Sequence, residues 1–381
     1  MNVLEIVCLA SLLLAAWHFV GYPLTLMLLA ALRRRGSPPP AAGRERVALI
    51  IAAFNEERVI AAKIDNALSL DYEPDLFEVV VVADGSSDRT AEIARSFSDP
   101  RVTCLHEPER RGKSHALNRA VAATRADVLV LSDANNFYSK DAIRRLVARL
   151  REPGVGGATG AKKIAASRER AASGGDGLYW RYESKIKCAE SELGGTVTAD
   201  GEIFALRRDS YRPIPASVIN DDMYLTFRLI DGGLRVVYEP DAIAVEEASM
   251  TIREDFNTKV RMIAGGMQSL ASESRTIFGS GWFSVKFASH KILRWLMPVV
   301  LATLLLSSAV LSAQPLFGAL FAAQALFYLL AAVGWALNAR NARPAFAYVP
   351  FYFVAMNCAA AGGLWRFLRG RQSVLWSKAA R

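Results

Sequence analysis

The chain has 381 residues, 52% of them hydrophobic and 22% charged, with a net charge of +9. Its mean hydropathy of +0.18 is high for a soluble enzyme. The basic excess sits beside apolar segments and not in a basic–aromatic motif, which argues against a nucleic-acid partner. Cys8, Cys104, Cys188 and Cys358 share no paired spacing, so neither a disulfide framework nor a zinc site is indicated.

Residues 1–32 read as an N-terminal transmembrane anchor. Positions 3–32 hold no Lys or Arg and a single acid, Glu5, and about 20 apolar residues suffice to cross the hydrocarbon core. Arg33, Arg34 and Arg35 follow the apolar run instead of preceding it, the order of a retained anchor and not of a cleaved leader. Residues 33–46 form a linker whose GSPPPAAGRER stretch is rich in Pro and Gly. From 47 to 250, strand-like and helix-like runs alternate, which predicts an α/β domain with a mostly parallel sheet. The strand-like runs VALIIAAF, EVVVVA and ADVLVLS each lead into a polar or acidic cluster. Runs this apolar suit strands buried on both faces, and ligands of such sheets bind beyond the carboxyl ends of the strands. The clusters therefore predict one edge that takes a nucleotide and a divalent metal.

Helices are expected over 56–69, 87–97, 113–124, 139–151 and 177–193, with Ser87 and Asp88 as caps of the second. The Ala- and Gly-rich stretch 154–175 reads as a mobile loop. Residues 251–294 read as amphipathic, basic helices at the membrane interface, one over 253–275 and another over 282–294. Residues 295–368 read as transmembrane segments, since 295–338 and 344–365 contain no charged residue. Residues 369–381 are a basic tail. Positive charge flanks each apolar segment, the pattern of cytosolic loops. Three crossings after an outside N-terminus would leave the Arg-rich tail outside, against that rule. The last segment, with Pro350, Asn357, Gly362 and Gly363, is therefore the one expected to be interfacial or re-entrant.

Several residues have both a functional and a bland reading. Asp133 and Asn135 can hold Mg²⁺ or Mn²⁺, which need few protein ligands when substrate phosphates supply the rest; Asp133 can equally cap a helix. Asp84, Asn55 and Glu56 fit a nucleotide edge or ordinary turns. Arg111, Gly112 and Lys113 open a helix whose amino terminus suits a phosphate. Asp221 and Asp222 precede an apolar helix and serve as caps or as a general base. Arg261 suits a pyrophosphate or an interface.

In order, the stretches AAFNEE, VVADGSSDRT, GKSHALN, VLSDAN, ADGEIFALRR, NDDMYL and KVRMIAGGMQ resemble glycosyltransferase family 2, the membrane-bound inverting enzymes with a GT-A fold. The resemblance implies a GT-A catalytic domain between N-terminal and C-terminal transmembrane helices. It implies an NDP-sugar donor, most often UDP-linked, Mg²⁺ or Mn²⁺, and a glycan or lipid-linked acceptor at a lipid bilayer. It implies a multi-pass protein of a cell membrane, the bacterial inner membrane, with its catalytic domain cytosolic; an export partner or oligomer stays open. Carried over, Ala53, Asn55, Glu56 and Asp84 hold the nucleoside, Lys113 sits beside the nucleotide, and Asp133 faces metal and diphosphate. Asp222 matches the catalytic base, with Asp221 beside it, and Arg261 the Arg of the Gln-x-x-Arg-Trp motif. Two departures stand out. The metal motif ends in Asn135 where Asp is common, so that Asn135→Asp is expected to add useful charge. Thr258 and Met262 replace the Gln and Trp of the motif that marks processive synthases, which puts processivity in doubt. The alternatives are single-sugar transfer to a polyprenyl-linked acceptor and an inactive, membrane-tethered subunit of a glycan assembly.

Overall fold

The structure, a computed structural model, describes residues 1–33, 43–165, 175–247, 252–340, 342, 344–370 and 372. The three apolar runs are neighbouring parallel strands: β1 (Val47–Ala53), β2 (Phe77–Asp84) and β4 (Val128–Asp133). Val79, Val81, Leu49 and Val130 are fully buried, each worth about 1.5–3 kcal/mol. β3 (Val102–Glu107), β5 (Asn136–Tyr138), β6 (Val155–Ala165), β7 (Phe204–Arg207) and β8 (Arg235–Glu247) complete an eight-stranded sheet of order β3-β2-β1-β4-β7-β6-β8-β5. Strand order reverses between β1 and β4, and there the register sets Ala52 beside Asp133 and Ala53 beside Ala83. The predicted edge is thus assembled at the topological switch point.

Residues 155–165 are a strand, not the loop expected from their composition. Their glycines admit close packing: a Cβ on Gly156 would lie 2.7 Å from the Leu234 side chain, and one on Gly157 2.8 Å from the Phe204 ring. The predicted helices form as α2 (Ile60–Leu68), α3 (Thr90–Arg95), α4 (Lys113–Ala123), α5 (Ala142–Leu150), α6 (Gly175–Glu192) and α7 (Asp221–Asp231). Asp88 accepts the Thr90 N–H at 3.0 Å and so serves the start of α3.

Among the described residues, four helices are long and apolar enough to cross a membrane: α1 (Val3–Leu32), α10 (Trp282–Val310), α11 (Pro315–Asn338) and α12 (Ala345–Leu368). Between the domain and α10 lie α8 (Ile252–Ser272) and α9 (Ser274–Gly279). Residues 282–294, expected to form a separate interfacial helix, are instead the first turns of α10, joined to the rest through a π-helical turn at Ala288–Ile292. α1 has a matching π-helical turn at Trp17–Gly21, and the two meet. Trp17 Nε1 donates to Ser289 Oγ at 3.2 Å, and His18 Nδ1 lies 3.1 Å from the Ser289 carbonyl, which can only accept.

The same level is tied to the catalytic domain through α6. His290 sits between Glu190 (2.7 Å) and Glu183 (2.9 Å), Arg294 pairs with Glu183 at 2.9 Å, and Tyr22 donates to Glu190 at 2.6 Å. At the opposite end of the helices, Gln314 bonds Glu5 at 2.9 Å, and Cys8, Leu304, Leu311 and Phe317 pack together. Among the described residues of that cluster none belongs to α12. Its Gly363 abuts Val260 and Ile263 of α8, while Leu364 and Phe367 pack against the cluster of Met223, Phe227 and Phe287. Its carboxyl-terminal half therefore packs against α8 and the α7 face of the catalytic domain.

Candidate active site

The loops that follow β1 and β2 hold each other. Asn55, at φ +55°, a conformation that Asn tolerates better than most residues, accepts the Ser87 N–H at 2.9 Å and donates its own N–H to Ser86 Oγ at 3.1 Å. The Glu56 N–H goes to Thr90 Oγ1 at 2.7 Å. Ala53 ends β1, buried. Asp84, also buried, accepts the backbone N–H groups of Arg111 (3.1 Å) and Gly112 (2.7 Å). The Arg111 and Gly112 amides, just before α4 and expected to face a phosphate, are thus directed at Asp84. Gly85 has to be glycine: its φ is +66° and a Cβ would lie 2.5 Å from the Arg110 backbone nitrogen.

This loop delivers Lys113 to the centre. Its ammonium lies 2.8 Å from Asp133 Oδ1 and 3.4 Å from Asp221 Oδ2. Burial disfavours the ammonium, yet Asp133 and Asp221 outweigh burial and hold its pKa above the ordinary range. Among the described residues, buried Asp221 Oδ2 has this ion pair to Lys113 but accepts no hydrogen bond of ordinary geometry. Asp222 accepts the Met223 N–H at 2.8 Å. Burial first, and the Asp221 charge second, push its pKa up to about 7, where a carboxylate is suited to proton transfer near neutral pH. A Cβ on Gly201 would stand 3.5 Å from Asp222 Cβ and 3.6 Å from Lys113 Nζ, so this glycine floors the site.

A second set of charges continues from Gly201. Lys162 pairs with Glu202 at 2.6 Å and also with Glu246. Burial alone would raise the Glu202 pKa; the Lys162 ammonium holds it at about 2. Glu246 in turn accepts from Asn135 Nδ2 at 2.7 Å. Beneath the same segment, fully buried Lys63 donates to the Asn136 carbonyl and sits 4.0 Å above the Tyr138 ring.

Sequence reasoning named Asp133, Lys113, Asp221 and Asp222, and the structure brings these four together. It places Ala53 and Asp84 at the ends of β1 and β2 and Asn55 and Glu56 just beyond β1, where Asn55 bonds Ser86 and Ser87, Glu56 bonds Thr90, and Asp84 bonds Arg111 and Gly112. Arg261 lies on α8, one residue before Met262, whose carbonyl accepts from Asn220 Nδ2 at 2.8 Å. Lys63, Lys162, Glu202 and Glu246 were missed. Only the ADGE run following Thr198 hinted at Glu202, and a lone Lys or Glu in a helix or strand carries no local signal. A cavity of about 490 Å³ lined by Asp127, Arg151, Arg207 and Arg208 opens at the other end of the strands, away from these groups.

The donor set suits a hard divalent cation. Asp133 is 37% exposed and pairs through Oδ1 with Lys113, while Asn135 Oδ1 accepts a 3.3 Å bond from Asn136 Nδ2. Both are oxygen donors of the kind Mg²⁺ and Mn²⁺ take. Among the described residues no group of three or more His, Cys, Asp or Glu side chains could hold a metal. A cation here would thus draw further ligands from substrate and water.

Comparison with known proteins agrees with this geometry. Residues 44–265 match the family described as glycosyltransferase like family 2. The chain is 27% identical over 234 residues to a poly-beta-1,6-N-acetyl-D-glucosamine synthase of Staphylococcus aureus, covering 59% of this chain and 56% of the relative. It is 28% identical over 216 residues to an N-acetylglucosaminyltransferase of Azorhizobium caulinodans, covering 52% and 54%. The match thus spans little more than half the length of these curated relatives. A solved mannosyltransferase from Pyrobaculum calidifontis, in complex with GDP-Man and Mn²⁺, superposes with a TM-score of 0.73 at 25% identity, over 97% of this chain and 100% of that one.

Proposed function

Since the chain belongs to glycosyltransferase family 2, we propose that it moves a sugar from a nucleoside-diphosphate sugar to a hydroxyl of a glycan or lipid-linked acceptor at the bilayer surface, with inversion. The observation that carries this reading is the convergence of Lys113, Asp133, Asp221 and Asp222 at the switch point of the sheet. A UDP-linked donor is the reading from the sequence. The structural relative's GDP-Man and the curated relatives' N-acetylglucosamine products keep the sugar and the base open to assay.

Asp133 and Asn135 would hold Mg²⁺ or Mn²⁺, and the bound ion would offset charge on the departing diphosphate. Lys113, buried between Asp133 and Asp221, fixes the direction of the Asp133 carboxylate and adds positive charge where the diphosphate oxygens must lie. Asp222 takes the acceptor proton as its hydroxyl attacks the anomeric carbon. The attack is in line with the leaving oxygen, so an α-linked donor gives a β-glycoside and no bond to the protein forms. Ala53, Asn55, Glu56 and Asp84 shape the nucleoside end of the cleft, and Arg261 approaches from α8.

The ends of α1 and α10 that meet α6 would lie at the cytosolic surface of the membrane, the bacterial inner membrane in the reading from the resemblance. The catalytic edge would then stand where a membrane-held acceptor can reach it. Binding of Mn²⁺ with UDP or GDP to purified protein tests the site: Asp133→Ala is expected to abolish metal-dependent nucleotide binding and transfer. Undiminished turnover of the wild type in EDTA overturns the metal assignment.

A further inference from the structure

The residue pair Asn135–Glu246 settles a problem left by the composition of the metal motif. Asn135 brings an oxygen without a charge, and an amide can present either its oxygen or its NH₂ to a cation. In the structure its NH₂ is spoken for, since Nδ2 donates to Glu246 Oε1 at 2.7 Å. The contact is built into the sheet: β5 and β8 are antiparallel, with Asn136 opposite Glu246. Glu246 is itself fixed by Lys162, which also holds Glu202 at 2.6 Å, and Glu202 follows Gly201 at the floor of the site. The Glu246 carboxylate and the Lys162 ammonium are both mostly buried, at 16% and 14% exposure, so water screens them little.

We propose that Glu246 is a positioning residue for the divalent cation: it turns the Asn135 amide so that Oδ1 faces the ion, and supplies from β8 the negative charge that residue 135 lacks. This rests on the reading of Asp133 and Asn135 as metal-holding residues. Groups that orient and polarise metal ligands act in this way, and their loss commonly weakens metal binding 10–100-fold. The pairing also revises the expectation for Asn135→Asp. A carboxylate at 135 would face the Glu246 carboxylate in place of an amide donor, so its charge is useful only when Glu246 is neutralised.

The test is Mn²⁺ titration of the full chain in lipid nanodiscs, read by electron paramagnetic resonance of free Mn²⁺, with UDP and GDP in parallel and Asp133→Ala as reference. Glu246→Gln is expected to raise the Mn²⁺ Kd about 10–100-fold. Its metal-free melting temperature should stay near wild type, because Lys162 keeps Glu202. The double variant Glu246→Gln/Asn135→Asp is expected to recover most of the affinity, and Glu246→Asp, which keeps the charge, to fall between. If Asp133→Ala loses Mn²⁺ while Glu246→Gln binds it like wild type, or only melts earlier, the inference fails and the metal reading stands. If Asp133→Ala itself binds Mn²⁺ normally, the metal reading fails first.

Discussion

Replacing Asp221 by Asn should shift the pH dependence of catalysis to lower pH without removing the base. Asp222 has its pKa raised to about 7 by burial and then by the Asp221 charge, with Lys113 acting in the opposite sense. Two like charges about 6 Å apart at an effective dielectric constant of about 20 repel by roughly 3 kcal/mol, or about 2 pK units. Lys113, 3.4 Å from Asp221, already neutralises part of this repulsion, which leaves a net effect of about one unit. In Asp221→Asn the acid limb of kcat/KM should therefore move from about 7 to roughly 6. At pH ~6 the deprotonated fraction of Asp222 would rise about fivefold relative to the plateau. The assay is nucleotide release across pH 5–9, each variant normalised to its own maximum. The sign for stability is the reverse of the usual carboxylate case. A folded pKa raised from 3.8 to about 7 means the folded state binds the proton more tightly, so stability falls as pH rises through that window and levels off above it. Asp222→Asn should flatten that slope in thermal melts. An acid limb that stays in place in Asp221→Asn, or moves upward, refutes the reasoning.

Asp222→Asn should lose about 10²-fold or more in rate, the usual range for a general base, while still binding nucleotide; if Asp221→Asn is the more damaging, the base is Asp221. Glu190→Ala strips partners from Tyr22 and His290 and should destabilise by about 3–5 kcal/mol, as broken buried ion pairs do, read as an earlier melt in lipid. New cysteines at Ser284 and Ser377 should be protected from a membrane-impermeant reagent in intact cells, and one at Ser312, in the turn between α10 and α11, should be labelled. Labelling at 377 would mean that α12 crosses the bilayer after all.

Legibility in the sequence followed the range of the interactions. The parallel strands were readable because burial on both faces leaves a run of Val, Ile, Leu and Ala, as in EVVVVA. Lys113, Asp133 and Asp222 were readable because the loops and helix starts that hold them carry Gly, Asp and Asn for local backbone reasons. β6 was misread because its Gly156 and Gly157 answer to the Leu234 and Phe204 side chains, which are distant in sequence. The amides of Arg111 and Gly112 looked available for a phosphate because nothing local reveals that Asp84, some 27 residues earlier, takes them. Glu246 and Lys162 were invisible for the same reason: their roles come from sheet pairing and Asn135, not from a motif. The start of α10 was read as a separate interfacial helix because Lys286, Lys291 and Arg294 are basic and His290 is polar. Their partners Glu183 and Glu190 lie on α6, about 100 residues away.

The most direct test of the central claim is a screen of radiolabelled UDP- and GDP-sugars with the purified full chain in lipid containing membrane-extracted acceptors, run with Mn²⁺, with EDTA, and with Asp222→Asn. The account predicts that label from one donor enters a glycan or lipid-linked product as a β-glycoside, only with the metal and only with Asp222 intact. Transfer that proceeds equally well in Asp222→Asn, or that gives an α-glycoside from an α-linked donor, would contradict it.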